Sequence, residues 1–387
     1  MDMDFHYYAT YVAAVAAGHS QEDATVIATA AQYVDESDSS RVAKLKGRDP
    51  GFNLVPTVQS FKDSAWSTVP NSGTTDVDTR RIWVPFHFLP GNYRASHHPD
   101  PGTSTRVKTY AGATQWGPLG HRWKYDQRGQ WQFSLLCLPY SPLAQAMIND
   151  TRQNHRDSLE MVGLRMHVLA DTWAHMYFAG TPSWWVNEAG ANVYAIEGGQ
   201  RSKITWGGAY SEWSTPAATS FESLAYLGHG RMGHVPDYAW LKYEYTPQWS
   251  SQPITKDNTQ EFMRAFVEMV RAMRAIREGK AYTFSDTPER EVEAELLEAV
   301  ELALAIPHPL GGRYQSTLEA RCGGWRLLLE RGMFKVAGTP VPLPPVFDAE
   351  AWSDFEHHPH HYIRFNRAAG AHQAFVIDAL AREDIEL

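Results

Sequence analysis

Asp157-Ser-Leu-Glu-Met-Val-Gly-Leu-Arg-Met-His167-Val-Leu-Ala-Asp171-Thr-Trp-Ala-His175-Met-Tyr-Phe178 reads as the strongest helix of the chain. Apolar residues recur at Leu159, Met161, Val162, Leu164, Met166, Val168 and Leu169, breakers are few, and Gly180-Thr-Pro182 ends the run. Within it His167, Asp171 and His175 follow one another at steps of four. Four residues of helix turn through about 400°, so the three side chains stay near one face. Neutral imidazole and carboxylate are the usual ligands of zinc and similar divalent ions. The same spacing also fits a core helix with two hydrogen-bonded histidines and a turn-forming Asp. The remaining histidines and aspartates decide between the two readings.

Outward from this helix the pattern stays helical. Residues 5–18 predict an Ala-rich helix stopped by Gly18, and Ser20-Gln-Glu-Asp23 caps a second that runs to about Val34. Further helices are expected from Pro142, over Thr259–Lys280, Pro288–Ile306 and Thr317–Arg331, and finally over Tyr362–Arg382. Residues 47–82 and 91–130 are irregular, and Arg81–Pro90, broken by Pro85 and Pro90, reads as an extended segment leading into the core. Residues 181–220 are a Trp/Gly/Ser-rich insertion with one hairpin near Val193–Trp206, and Thr339-Pro-Val-Pro-Leu-Pro-Pro345 is a stiff linker. The expected class is all-α, a multi-helix bundle with long irregular loop insertions. Residues 1–335 would form an α-helical metal-binding domain of catalytic type, with insertions at about 47–130 and 181–220. Residues 336–387 would add a proline-rich linker and a helix packing on that domain.

Composition narrows the function. With 387 residues, 43% of them hydrophobic and 20% charged, the chain suits a globular protein with a large core. A net charge of −9 argues against a broad basic surface for nucleic acid. The only cysteines, Cys137 and Cys322, give no disulfide framework and no CxxC site, so any metal would rest on His and carboxylates. The start, Met1-Asp-Met-Asp-Phe-His, lacks a basic n-region, and Tyr11–Gly18 is too short to span a bilayer. These features predict a soluble protein with no transmembrane segment, cytoplasmic by default, with non-classical export as the other route. There is no GxSxG elbow and no GxxxxGK[ST] phosphate loop.

Histidine and aspartate recur at the ends of the expected helices. His6 follows Asp2 and Asp4, Asp35 closes Ala-Ala-Gln-Tyr-Val-Asp35, and His87 lies in Trp83-Val-Pro-Phe-His87-Phe. After His167, Asp171 and His175 comes Gly228-His229-Gly-Arg-Met-Gly-His234-Val-Pro-Asp237. Two or three cations need about eight to twelve protein ligands besides water, and this set is large enough. His97-His98 reads as a loop pair, and His357-His358-Pro-His360-His361 as a solvated or interface tract. Trp184-Trp185 reads as packing.

This ordered set resembles the zinc-dependent phospholipase C / S1–P1 nuclease superfamily, whose members are all-α and hold three zinc ions in a cleft for phosphodiester hydrolysis. The closer resemblance is to an uncharacterised bacterial and fungal, DUF6765-like branch with an FHYYAT-type start, an AAQYVD motif and an HVLADTWAH helix. It covers roughly residues 1–245. The resemblance implies that Asp171 is a bridging carboxylate and that Asp35, His87 and His167 complete one site with it. It implies a second site of His175 and His234 with Asp237 or His229, and a third served by His6. Asp35 would position or deprotonate the attacking water. In secreted members a mature N-terminal Trp gives its amine and carbonyl to one zinc. Here Asp2 or Asp4 would replace it, or that ion would be absent.

The expectation is therefore a hydrolase of phosphodiester or phosphate-ester bonds, phospholipase C-like or nuclease-like, dependent on two or three Zn2+ or another divalent ion. Its partner would be a phosphate-ester substrate, either a lipid headgroup or a nucleotide. A protein partner or a second copy would use the C-terminal region. The rival expectation is a non-catalytic, metal-stabilised binding or toxin-associated module, and a third is a metal-dependent hydrolase of amides or other non-phosphate bonds.

Overall fold

The computed structural model describes residues 1–37, 55–58, 76–93, 114–116, 122–124, 131–189, 192–204, 224–250, 252–308, 314–354 and 359–387. A π-helical turn, Asp4–Ala9, runs directly into α1 (Thr10–Ala16). The second helix, α2 (Gln21–Tyr33), starts at Ser20, whose Oγ accepts from the Asp23 amide at 3.1 Å. Then follow α3 (Asp76–Phe86), α4 (Pro142–Asn154), α5 (Leu159–Ala174) and the short α6 (Trp184–Asn187). The later helices are α7 (Asn258–Glu278), α8 (Ala294–Ala305), α9 (Tyr314–Glu330), α10 (Ala349–Trp352) and α11 (Pro359–Ala381).

The middle of the molecule is α5. Every residue from Glu160 to Ala174 is buried, as a helix apolar on nearly all sides requires. It packs against α2, α7 and α11. Its close approach to α2 depends on Gly163, where an added Cβ would lie 2.2 Å from the Ile27 carbonyl oxygen. The charged residues this helix takes into the core are matched. The Arg165 guanidinium donates to Asp150 Oδ2 at 2.7 Å, to the Met147 carbonyl at 3.0 Å and to Thr151 Oγ1 at 2.9 Å. Glu160 accepts from His361 Nδ1 at 2.7 Å. His361 also stacks on Trp352, so this member of the late histidine tract anchors α11. His357 and His358 lie outside the described residues.

The class is mixed, not all-α, although helices dominate. Four strands form an antiparallel sheet in the order β4-β3-β5-β6: β3 (Val193–Glu197), β4 (Gln200–Lys203), β5 (Lys242–Tyr245) and β6 (Ile254–Asp257). Shorter antiparallel pairs are β1 (Thr114–Trp116) with β2 (Arg122–Lys124), and β7 (Lys335–Val336) with β8 (Thr339–Pro340). The β3–β4 hairpin falls where the sequence placed one. The strands β5 and β6 escape a periodicity reading because each is four residues long, about one alternation in and out, where helix and strand patterns are not separable.

The second correction concerns Arg81–Pro90, which is helical up to Phe86 rather than extended. Pro85 has no N–H to give to the carbonyl of Arg81, the usual reason a proline ends a helix. Here Gln373 Nε2 donates to that carbonyl at 2.8 Å, and His372 Nε2 donates to the Pro85 carbonyl at 2.8 Å. Both donors come from α11, almost 300 residues away in sequence. The C-terminal helix thus supplies what the proline removes. Buried side chains run from Met1 to Leu387 in one connected core. Among the described residues, no helix is long and apolar enough to cross a membrane.

Lys256 on β6 is buried and donates from Nζ to the Trp173 carbonyl at 2.6 Å, at the end of α5. Burial holds its ammonium down from 10.5 to about 8, against the pull of Glu261. Between those values the unfolded chain carries a proton that the folded chain lacks, so folding gains stability as pH rises through this window. Below about 8 the lysine is charged in both states and the gain is absent. Urea midpoints measured from pH 7 to 10.5 should therefore rise for wild type relative to Lys256→Met. Parallel profiles would refute this account of Lys256.

Candidate metal centre

Five chain segments meet beside the C-terminal half of α5. That helix presents His167 and Asp171, and His175 stands at its C-terminal cap. The π-helical turn presents His6, Asp35 follows α2, and His87 follows α3. Two 3-10 turns, Gly230–Met232 and Val235–Asp237, carry His229, His234 and Asp237. The second of these is pinned by Asn258, whose Nδ2 donates to the carbonyls of Val235 at 3.1 Å, Pro236 at 3.2 Å and Tyr238 at 2.9 Å. The first is admitted by Gly228. Its φ is +52°, and a Cβ there would stand 2.1 Å from the Phe88 ring, which stacks on His175 with centroids 4.6 Å apart.

Asp35, His87, His167 and Asp171 form the inner set. His167 Nε2 lies 3.1 Å from Asp171 Oδ2, 3.3 Å from His87 Nδ1 and 3.8 Å from Asp35 Oδ1. His87 Nδ1 lies 3.4 Å from Asp171 Oδ2 and 3.8 Å from Asp35 Oδ1. Zinc bonds of 2.0–2.1 Å in a tetrahedron put ligand atoms about 3.3 Å apart, so these separations fit donors around a shared cation. The side chains of His167 and Asp171 are 0% and 1% exposed, and that of Asp35 is 29% exposed, so the set opens to solvent on the Asp35 side.

His175, His229 and Asp237 form the second set, with one ligand atom of each within 4.8 Å of the others. His175 Nε2 is 3.3 Å from Asp237 Oδ1, and His229 Nε2 is 3.7 Å from Asp237 Oδ2. His6 sits on the inner face of Asp171, its Nε2 3.2 Å from Oδ1 and its ring stacked on His167 at 3.8 Å. Among the described residues, His6 Nδ1 is buried with no hydrogen-bond partner. The amino group of Met1 lies in the same place, 2.7 Å from Asp171 Oδ1 and 3.2 Å from Asp237 Oδ1.

Backbone carbonyls fix the orientation of three rings. His87 Nε2 is 2.9 Å from the Thr57 carbonyl, His175 Nδ1 2.7 Å from the His87 carbonyl, and His229 Nδ1 2.8 Å from the Gly233 carbonyl. A carbonyl only accepts, so each of these nitrogens carries the hydrogen. In the neutral ring the other nitrogen then points its lone pair inward, at Asp171 or Asp237. Lone pairs aimed at carboxylates repel unless a cation or a proton lies between them. Outer hydrogen bonds of this kind are the usual support of metal-binding histidines.

Burial sets the charge of several groups here. Burial holds His6 down to about 4, and His229 also to about 4 in spite of Asp237. Burial, together with His6, holds His167 well below its usual range. These three imidazoles are thus kept neutral, the form that binds metals. Burial pushes the Asp171 carboxyl up, but His175, the Met1 amine, His167 and His6 outweigh it and hold it well below the carboxylate range. Burial and the neighbouring Asp171 push Asp35 well above that range. Burial lowers the Met1 amine, but Asp171, Asp237 and Asp35 reverse this and raise it to about 11. The pocket between these aspartates attracts positive charge.

Of the nine residues singled out in the sequence, His6, Asp35, His87, His167, Asp171, His175, His229 and Asp237 join the inner and second sets and the ring stacked on them. His234 does not sit with His175. Its Nδ1 lies 3.6 Å from Asp237 Oδ2 and 3.9 Å from Asp2 Oδ1 instead. The supporting Thr57 and Gly233 carbonyls left no mark in the side-chain pattern. His97 and His98 lie outside the described residues. Trp184 and Trp185 meet edge to face at 4.9 Å, as packing.

A protein-family model, described as a family of unknown function, matches residues 1–380. No curated protein and no solved structure matches the chain.

Proposed function

The chain belongs to that family, DUF6765, and since membership supplies no chemistry, we propose from the site itself a metal-dependent hydrolase of phosphodiester or phosphate-ester bonds. The observation that carries the reading is the aim of the inner nitrogens of His87, His175 and His229, fixed by the carbonyls of Thr57, His87 and Gly233, at Asp171 and Asp237. The ligand order that resembles the zinc-dependent phospholipase C / S1–P1 nuclease superfamily supports the same reading, with zinc as the preferred ion and other divalent ions as alternatives.

Asp35, His87, His167 and Asp171 would hold one ion, and His175, His229 and Asp237 another. His6 with Asp171 offers donors for a third. Bound there, divalent ions lower the pKa of a coordinated water and offset charge on phosphoryl oxygens. Asp35 is the part-exposed carboxylate of the set, placed to orient the attacking water, and a bound cation beside it would offset the push of burial and Asp171 and leave it ionised to take the proton. Asp171 faces four ring nitrogens and the Met1 amine, and holds the two ends of the centre at a fixed separation. A chain of net charge −9 draws an anionic ester to this point only through local cations. The ester is a lipid headgroup or a nucleotide. The net charge of −9 favours small substrates over long nucleic acid.

Purified protein should contain at least two equivalents of zinc or a similar ion by elemental analysis. It should hydrolyse bis-p-nitrophenyl phosphate, lose that activity to a chelator, and regain it when zinc is returned. Absence of any bound transition ion would end the proposal. Bound metal without turnover on phosphate esters would instead favour a structural centre, closed to water.

A further inference from the structure

We propose that Asp2, His234 and Asp237 hold an additional divalent cation at the outer edge of the centre, separate from the two inner sets; this rests on the metal reading above. One ligand atom from each of the three residues lies within 4.8 Å of the others. His234 Nδ1 stands 3.6 Å from Asp237 Oδ2 and 3.9 Å from Asp2 Oδ1. Both separations exceed the tetrahedral edge of about 3.3 Å by a few tenths of an ångström, a gap that small side-chain rotations would close on a cation shared by one nitrogen and two oxygens.

Two further features prepare this group. The first is Arg321 of α9, buried between the aspartates of the first turn. Its guanidinium donates to Asp2 Oδ2 at 2.6 Å and to Asp4 Oδ1 at 2.6 Å. It also lies over the rings of Tyr238, at 5.3 Å, and Trp240, at 5.6 Å. Arg321 therefore takes one oxygen of Asp2 and turns the other towards His234. The second feature is Asp237. Its Oδ1 faces His175 Nε2 at 3.3 Å, whereas its Oδ2 faces His229 and His234, so the carboxylate reaches both the second set and this outer group.

Position and charge predict a weaker, exchangeable ion. The side chain of His234 is 23% exposed, against 0% for His6 and His167. Arg321 keeps a positive charge directly beside Asp2. Water reaches the outer group, and the guanidinium opposes the incoming cation. An ion here would leave first on dilution or mild chelation.

Zinc titration of chelator-stripped full-length protein, followed by calorimetry and by elemental analysis after gel filtration, tests this. Wild type should show a last, weaker binding step. His234→Ala should lack that step, bind one equivalent fewer, and keep the tighter steps unchanged. Asp2→Asn should do the same, and unchanged circular dichroism will confirm that both variants are folded. Equal stoichiometry in wild type and both folded variants overturns the outer site. So does loss of all binding in His234→Ala, which would place His234 inside the second set. Absence of zinc binding by wild type overturns the metal reading itself.

Discussion

Asp171→Asn should lose the metal of the inner set and, with it, phosphodiester hydrolysis. The substitution keeps the shape of the side chain and removes its charge. Asp171 Oδ2 faces His167 Nε2 at 3.1 Å, His87 Nδ1 at 3.4 Å and His175 Nδ1 at 3.6 Å, while Oδ1 faces His6 Nε2 at 3.2 Å. An amide can present only one oxygen, so one side of the centre would meet an NH2 group that cannot ligate. The lost negative charge also weakens attraction for every cation in a buried site, where screening by water is least. Zinc should fall by at least the one equivalent that Asp35, His87, His167 and Asp171 share, while His175, His229 and Asp237 keep theirs. Turnover of bis-p-nitrophenyl phosphate should fall by about 10²–10³-fold or more, the scale for removing one preorganised polar group from a buried site. The melting temperature of Asp171→Asn should drop less on chelation than that of wild type, because an ion that binds only the folded chain stabilises it and the variant has fewer such ions to lose. Wild-type zinc content in a folded Asp171→Asn protein would sink the assignment of Asp171.

The order of ligands along the chain was legible because metal donors are few in kind and α5 spaces them by whole turns. His167, Asp171 and His175 need only a helix to share a face, and Asp35 stands just past the end of the second expected helix. The sequence groups His234 with His175 and Asp237, whereas His234 faces Asp237 from the side of Asp2, because residues five apart in a turn-rich stretch have no fixed geometry. The two 3-10 turns and the positive φ of Gly233 aim His229 inward and His234 towards Asp2. Arg321 was out of reach of any local reading, since its partners Asp2 and Asp4 lie more than 300 residues away. The same holds for Pro85, whose helix survives on donors from His372 and Gln373. The all-α expectation fails at β5 and β6, which are short, and β5 also pairs with β3 from across the long insertion. Long periodic helices declare themselves locally, whereas short strands and long-range ion pairs do not.

Gly163→Val should unfold the protein or nearly so, and Gly163→Ala separates the two forces at work. In an exposed helix, alanine is favoured over glycine by about 1 kcal/mol. Here the added Cβ would lie 2.2 Å from the Ile27 carbonyl oxygen, 3.0 Å from its carbonyl carbon and 2.8 Å from Ala30 Cβ. These are backbone and stub atoms of α2, and they cannot swing aside as the tip of a long side chain would. The helices must move apart, which forfeits packing over their whole contact, and overpacking of this kind costs about 1–3 kcal/mol. The steric cost exceeds the propensity gain, so Gly163→Ala should lower the urea midpoint. Gly163→Val, with two more carbons at the same point, should cost several times as much. The damage also has a direction. His167 stands one helical turn beyond Gly163, and Asp35 follows the end of α2, so parting these helices stretches the 3.8 Å between His167 Nε2 and Asp35 Oδ1. Gly163→Ala should therefore bind its tightest zinc more weakly while His175, His229 and Asp237 keep theirs. A Gly163→Ala protein more stable than wild type would mean that α2 yields freely, and that the separation of the two helices does not set the geometry of the centre.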